Sequence, residues 1–155
     1  CGIVDRIYEL AEMKTGLTLS ISLHAATDEK RSSIMPINRK YNLEQLMAAC
    51  RDYFKKTGRR ISFEYSLIEG VNDTEQSAEE LIKLLRGMLC HVNLIPINEI
   101  RERDYKKSRY VEKFQKRLTD AGINATVRRT LGADINAACG QLRRDDGTVH
   151  EAVKE

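Results

Sequence analysis

The chain has 155 residues, of which 41% are hydrophobic and 32% charged, and its formal net charge is +3. This length suits one domain with a substantial buried core, and no apolar run is long enough to cross a membrane. The four cysteines, Cys1, Cys50, Cys90 and Cys139, form no C-x-x-C pair. Their spacing argues against a zinc site or a disulfide framework and predicts a cytoplasmic protein.

Hydrophobic periodicity predicts that strands and helices alternate from the start of the chain. A helical repeat covers residues 3–14. Residues 17–23 then alternate between aliphatic and hydroxyl side chains, which predicts a strand with one apolar and one hydroxyl-lined face. A short helix over 28–34 is expected to end before Pro36.

The middle of the chain repeats this order. Asn42 opens a capping box and predicts a helix that ends at Gly58. Residues 60–68 alternate as a second strand, and Asp73 is expected to cap the helix after it. The apolar stripe predicted for the first of these helices is Leu43, Leu46, Met47, Cys50 and Phe54.

A third strand is predicted over 91–98, with Pro96 marking an irregular end. Ser108 precedes a further helix, and residues 123–129 form the fourth strand. Four strand–helix units of this length indicate an α/β fold with about four parallel strands and flanking helices, as in half of a (β/α)₈ barrel. The expected division is one domain over 1–144 and a loose tail over 145–155.

The positive charge is concentrated in one part of the sequence. Residues 101–144 contain 12 Lys and Arg against 5 Asp and Glu, whereas residues 1–100 are nearly neutral. A basic block of this size is typical of a surface that binds phosphate groups. The alternative is a solvated surface that only keeps the protein soluble.

Polar residues follow the predicted strands at their carboxyl ends, where ligands bind in parallel α/β folds. The first strand ends in Ser22 and His24, the third in Asn98, and the fourth leads towards Cys139. This set suits a small polar ligand beside a sulfur nucleophile. A strand-end histidine is also a common structural residue, so both interpretations stay open for His24.

Cys139 has the features of a reactive thiol. Small residues surround it in the run Ala137-Ala-Cys-Gly140, and arginine pairs lie on both sides at 128–129 and 143–144. Small neighbours leave the sulfur accessible, and nearby cations favour the thiolate. The alternative is a buried cysteine without chemistry, since free cysteine is one of the most buried residue types.

Four short motifs in register resemble the RlmN/Cfr family of radical-SAM RNA adenine methyltransferases. The resemblance extends from Cys1 to about Arg144 and suggests the C-terminal half of such an enzyme. The motifs are Ile21-Ser-Leu-His-Ala25, Ile34-Met-Pro-Ile-Asn38, Val92-Asn-Leu-Ile-Pro96 and Ala137-Ala-Cys-Gly-Gln-Leu142.

The resemblance implies S-adenosylmethionine (SAM) and a [4Fe-4S] cluster as cofactors. Ser22, Leu23, His24 and Asn98 match SAM-binding positions, and Cys139 matches the cysteine that carries the methyl group as S-methylcysteine. The C-x-x-x-C-x-x-C cluster motif and the resolving cysteine of the family do not occur in this sequence. This chain alone therefore has no predicted metal ligand and is expected to be inactive.

The substrate implied by the resemblance is an adenine of 23S rRNA, methylated at carbon 2, with transfer RNA as a second candidate. Methylation at carbon 8 and a non-catalytic RNA- or nucleotide-binding module are the alternatives. Exposed strand edges are expected to make the chain self-associate. The residues predicted to contact RNA are Arg101, Arg103, Lys106, Lys107, Arg128 and Arg129.

Overall fold

A computed structural model describes residues 2–97 and 106–128 of the chain. Five α-helices and four β-strands alternate over these two segments, together with a 3₁₀ helix at Pro36–Arg39. In chain order the elements are α1 (Val4–Glu12), β1 (Ser20–Ser22), α2 (Asp28–Ile34), α3 (Leu43–Thr57), β2 (Ile61–Leu67), α4 (Glu75–Leu85), β3 (Cys90–Pro96), α5 (Val111–Asp120) and β4 (Asn124–Val127).

The four strands form one parallel sheet in the order β1-β2-β3-β4. Each strand lies beside the strand that precedes it in sequence, which is the order expected in a segment of a β/α barrel. The predicted α/β class with four parallel strands is confirmed.

The two faces of the sheet differ sharply in polarity. Ile21, Phe63, Val92 and Ala125 are aligned across the sheet by the strand register and are buried against the helices. The adjacent row carries Ser22, Glu64, Asn93 and Thr126, which are half-buried or exposed. We call the side of the sheet with this second row the polar face. The hydroxyl-lined face predicted for β1 is part of it.

Local signals predicted the starts and the ends of two helices correctly. The helix predicted over 28–34 is α2, and Thr27 caps it by accepting a hydrogen bond from the backbone of Lys30. The capping box at Asn42 is present, and Gly58 ends α3 in the left-handed conformation at φ 65°. Glycine suits this position because other residues are strained there.

Several details of the prediction are wrong. The strand predicted over 17–23 is limited to Ser20–Ser22, which are the residues in register with β2, and Leu17 is exposed. In α3 it is Tyr53 that is fully buried, whereas Phe54 is partly exposed. Thr74, not Asp73, caps α4.

Asp73 has a different role, which explains why it does not cap α4. Its carboxylate accepts hydrogen bonds from the backbone of Gly70 and from the Ser108 hydroxyl, at 2.9 and 2.7 Å. It therefore ties the loop after β2 to the segment before α5. The fourth strand ends at Val127, and the predicted tail over 145–155 lies outside the described residues.

Candidate functional site

The carboxyl ends of the four strands lie along one edge of the sheet. The register aligns Leu67 with Pro96, and Leu94 with Val127, while β1 ends level with Glu64. The parallel arrangement therefore brings the end of β1 to the same edge as the ends of β3 and β4. We call this the carboxyl edge.

The predicted site residues are only partly within the described segments. Ser22, Leu23 and His24 lie at the end of β1, on the carboxyl edge. Asn98 and Cys139 lie outside the described residues, as do Arg101, Arg103 and Arg129. Their assignments from the sequence stay predictions.

Side chains from other segments bind all three main-chain carbonyls of Ser22, Leu23 and His24. Arg31 donates from Nη2 to the Ser22 oxygen at 3.2 Å and from Nε to the Leu23 oxygen at 3.1 Å. The Asn72 side-chain amide donates to the His24 oxygen at 2.7 Å. The amides of Leu23 and His24 both donate to the carbonyl of Glu64. The backbone of this segment is therefore held from several directions.

Arg31 is fully buried although it lies on a short helix, α2. Its Nη1 donates to Oδ1 of Asn38 at 2.8 Å, and Asn38 in turn donates to Asp28. Burial lowers the pKa of Arg31 from its ordinary value, and the negative charge of Asp28 opposes this shift. Sequence reasoning missed Arg31 as a support of the site. The quoted motif ending in Asn38 was the only signal near it.

The side chains of the Ser22–His24 segment point to different sides of the sheet. Leu23 is fully buried in the core, so its side chain does not reach the carboxyl edge. Ser22 and His24 are half-buried at this edge. A ligand here would contact the side chains of residues 22 and 24, and residue 23 only through its main chain.

His24 is held as a neutral imidazole with a defined tautomer. Its backbone adopts the left-handed conformation at φ 59°, and its Nδ1 accepts a hydrogen bond from the Ser66 amide at 3.0 Å. Because Nδ1 is the acceptor, the proton of the neutral ring must be on Nε2. Burial and the positive charge of Arg31 lower the pKa of His24 to about 4, against a smaller opposite effect of Glu64.

Glu64 connects three strands on the polar face. Its Oε1 accepts from the Ser20 hydroxyl at 3.0 Å, and its Oε2 accepts from Nδ2 of Asn93 at 2.7 Å. A second chain of contacts runs from Ser62 through His91, whose Nε2 lies 2.9 Å from Oγ1 of Thr126. The polar face is thus ordered by side-chain hydrogen bonds across the sheet.

Three residues predicted to contact RNA are described, and all three lie near the carboxyl edge. Lys107 pairs with Ile68, directly after β2, and Arg128 follows β4, where its amide donates to Leu94. Lys106, Lys107 and Arg128 are all exposed. Their position is compatible with a basic rim around the site.

The carboxyl edge offers two polar side chains to a ligand. The Ser22 hydroxyl can donate or accept a hydrogen bond and the Nε2–H group of His24 can donate one, so the pair could hold ribose or carboxylate oxygens such as those of SAM. The described residues hold no group of three or more Cys, His, Asp or Glu that could bind a metal ion. This part of the chain therefore does not fit an iron–sulfur cluster.

Among the described helices, none is long and apolar enough to span a membrane.

Comparisons with known proteins agree with this architecture. The chain is 57% identical over 147 residues to the probable dual-specificity RNA methyltransferase RlmN of Clostridium novyi (strain NT), covering 94% of this chain and 43% of that protein. It is 60% identical over 146 residues to the protein of the same name from Thermoanaerobacter sp. (strain X514), covering 93% of this chain and 43% of the relative. The chain spans less than half the length of these curated relatives.

Two solved structures are also similar to this chain. A crystal structure of a radical SAM methyltransferase from Sphaerobacter thermophilus superposes with a TM-score of 0.86 at 50% identity, covering 90% of this chain and 42% of that one. A domain of pyruvate-formate lyase-activating enzyme from Bacteroides vulgatus ATCC 8482 superposes with a TM-score of 0.56 at 17% identity, covering 82% and 89%, which shows the fold alone. No protein-family model matches the chain.

Proposed function

We propose that this chain, which belongs to the RlmN/Cfr family, is the C-terminal part of a radical-SAM methyltransferase that methylates carbon 2 of an adenine in 23S rRNA. One observation carries the proposal. The chain is 57% and 60% identical to two relatives that are named RNA methyltransferases, over 94% and 93% of its length. We also propose transfer RNA as a substrate, because those relatives are named dual-specificity enzymes.

In this proposal the carboxyl edge holds SAM through Ser22, His24 and Asn98, with Leu23 contributing its main chain. SAM supplies the methyl group and the reactive nucleoside that the chemistry needs. The protein's part is to position the ligand, the Cys139 sulfur and the adenine at near-contact distance. Cys139 would take the methyl group as S-methylcysteine: its thiolate electron pair would form the new S–C bond while the methyl–sulfonium bond of SAM breaks, and S-adenosylhomocysteine would leave with the electrons of that bond.

A direct test compares the full-length protein with its Cys139→Ala variant. The wild type is expected to methylate 23S rRNA in the presence of SAM and a reductant, and mass spectrometry of the digested RNA identifies the methylated carbon. The Cys139→Ala variant is expected to lose this activity entirely. Unchanged turnover would overturn the role of Cys139, whereas a product methylated at carbon 8 would replace only the assigned position.

A second function is favoured by the exposed basic residues at the carboxyl edge. Lys106, Lys107 and Arg128, together with Arg101, Arg103 and Arg129, would bind the phosphates of RNA. A non-catalytic RNA-binding module would keep its RNA affinity in the Cys139→Ala variant. Its log affinity would fall linearly with log salt concentration, as phosphate contacts require.

Four further proposals concern the chain by itself. Without the cysteine motif of the family, it is expected to be inactive when expressed alone, and residues 1–144 are expected to form its domain, with 145–155 as a tail. Strand edges of the sheet are expected to pair between copies. Light scattering of the isolated chain tests this, and a monodisperse monomer would contradict it. A cytoplasmic location follows the cysteine usage.

A further inference from the structure

We propose that Asn72 is a positioning residue that fixes the backbone and the ring orientation of His24. The inference rests on the proposed function, because His24 belongs to the proposed SAM site. Asn72 lies in the loop between β2 and α4, and it is fully buried. The sequence did not single it out.

Every polar atom of the Asn72 side chain has a partner in the neighbouring strand ends. Its Nδ2 donates to the His24 carbonyl and to the Ser66 carbonyl, both at 2.7 Å. Its Oδ1 accepts from the Ile68 amide at 2.8 Å. The main-chain oxygen of Asn72 accepts from the Tyr65 hydroxyl at 2.9 Å, which anchors the loop to the core. One side chain therefore joins the end of β1 to the end of β2.

This connection determines where the His24 ring lies. Asn72 binds the carbonyls of His24 and Ser66 at the same time, and the Ser66 amide donates to Nδ1 of His24. The Asn72 amide group thus fixes the distance between the two segments together with the hydrogen bonds from the Leu23 and His24 amides to the Glu64 carbonyl. With Nδ1 occupied, Nε2–H becomes the donor that the ring offers to a ligand.

The left-handed backbone of His24 makes this support necessary. Most residues other than glycine and asparagine are strained at φ 59°, and such a conformation persists only where the surroundings hold it. Without the Asn72 amide, the His24 and Ser66 carbonyls would lose a buried donor, which is unfavourable. His24 would then relax towards an ordinary backbone conformation and turn its ring away from Ser66.

The test uses the full-length protein with Asn72→Ala, and Ser108→Ala as the matched control. Ser108 is also buried and also binds the loop after β2, through Asp73, but it has no hydrogen bond to His24. SAM affinity is measured by calorimetry, and kcat and KM are measured by methylation of RNA. We expect Asn72→Ala to weaken SAM binding at least about tenfold and to raise KM for SAM more than it lowers kcat. Ser108→Ala is expected to change SAM affinity less than about twofold.

The ring itself gives a second readout that does not depend on SAM binding. In protein labelled with ¹⁵N-histidine, the His24 signals, assigned by loss in His24→Asn, are expected to show the Nε2–H tautomer at pH 7. Asn72→Ala is expected to produce a mixture of tautomers. If Asn72→Ala does not accumulate as folded protein, Asn72→Ser, which keeps one donor, is expected to give intermediate values.

The outcomes separate the two hypotheses. Wild-type SAM affinity and an unchanged tautomer in folded Asn72→Ala or Asn72→Ser would overturn the positioning role and leave the proposed function intact. An Nδ1–H tautomer in the wild-type protein would also overturn the positioning role, and it would also leave the proposed function intact. A wild-type protein that binds no SAM would overturn the proposed function, while the tautomer measurement would still decide whether Asn72 positions His24.

Discussion

The guanidinium of Arg31 donates a hydrogen bond to the Leu23 carbonyl, with Nε 3.1 Å from the oxygen. The same group also binds the Ser22 carbonyl and Asn38, so one fully buried side chain supports the end of β1 and the 3₁₀ helix together. The positively charged Arg31 therefore fixes two main-chain carbonyls at the proposed SAM site, those of Ser22 and Leu23.

Replacing Arg31 with methionine is expected to destabilise the protein by about 3 kcal/mol, since two buried acceptors and one partly buried acceptor would lose their donor. The free energy of unfolding is measured by urea titration. Arg39→Met is the control, because Arg39 is exposed on the 3₁₀ helix. Equal free energies of unfolding for the two variants would show that the Arg31 contacts do not stabilise the fold.

The low pKa of His24 predicts a specific pH dependence of stability. Burial and Arg31 lower this pKa from 6.5 to about 4, so the folded state binds the proton less tightly than the unfolded state. Stability is therefore unaffected by His24 above pH 6.5 and decreases as the pH falls towards 4. The free energy of unfolding is expected to fall by about 3 kcal/mol in total, because one pKa unit corresponds to about 1.4 kcal/mol.

His24→Asn is expected to remove this part of the pH dependence, because asparagine tolerates the left-handed backbone and does not titrate. Stability of both proteins is compared by urea unfolding between pH 4 and pH 7. His91→Asn is the control, since its pKa is lowered by a smaller degree of burial and by Arg60. Parallel stability curves for the wild type and His24→Asn would contradict the prediction.

Glu64→Gln is expected to lower the pKa of His24 further. Burial remains the main cause of the low value, but the negative charge of Glu64 partly opposes it. Removing that charge makes the imidazolium less favourable. The His24 signal is titrated by NMR in both proteins, and an unchanged or raised pKa in the variant would refute the electrostatic contact.

The described cysteines are expected to be poor nucleophiles. Burial raises the pKa of Cys50 to about 12 and that of Cys90 to about 11, so almost no thiolate is present at pH 8. Iodoacetamide is expected to modify Cys139 of unmethylated native protein before Cys50 or Cys90. Peptide mass spectrometry measures the three rates, and denatured protein serves as the control. Equal rates in the native protein would contradict the thiolate character predicted for Cys139.

Local sequence signals predicted the elements of the fold well where one short motif decides the structure. The capping box at Asn42 and the stop before Pro36 are such cases. Asp73 failed as a cap because its carboxylate is bound by Gly70 and by Ser108, which is 35 residues distant in sequence. A competing long-range partner is invisible to a local pattern.

The candidate site shows the same limit. The strand-end rule led to Ser22 and His24, but not to Arg31 and Asn72, which hold them. Both supports are polar residues buried by tertiary contacts, and helix α2 by itself would be read as a solvated surface helix. Their burial depends on acceptors contributed by several elements, so it emerges only once the sheet and its loops are assembled.

The parallel sheet also holds two regions of the molecule apart. The turns that lead from the helices into the strands, such as residues 86–89 before β3, lie at the end opposite the carboxyl edge. Seven residues of β3 put roughly 20 Å between these ends. In the proposed function RNA and SAM bind at the carboxyl edge, so a fluorophore attached at Leu89, whose side chain is exposed, would label the protein without contacting either ligand.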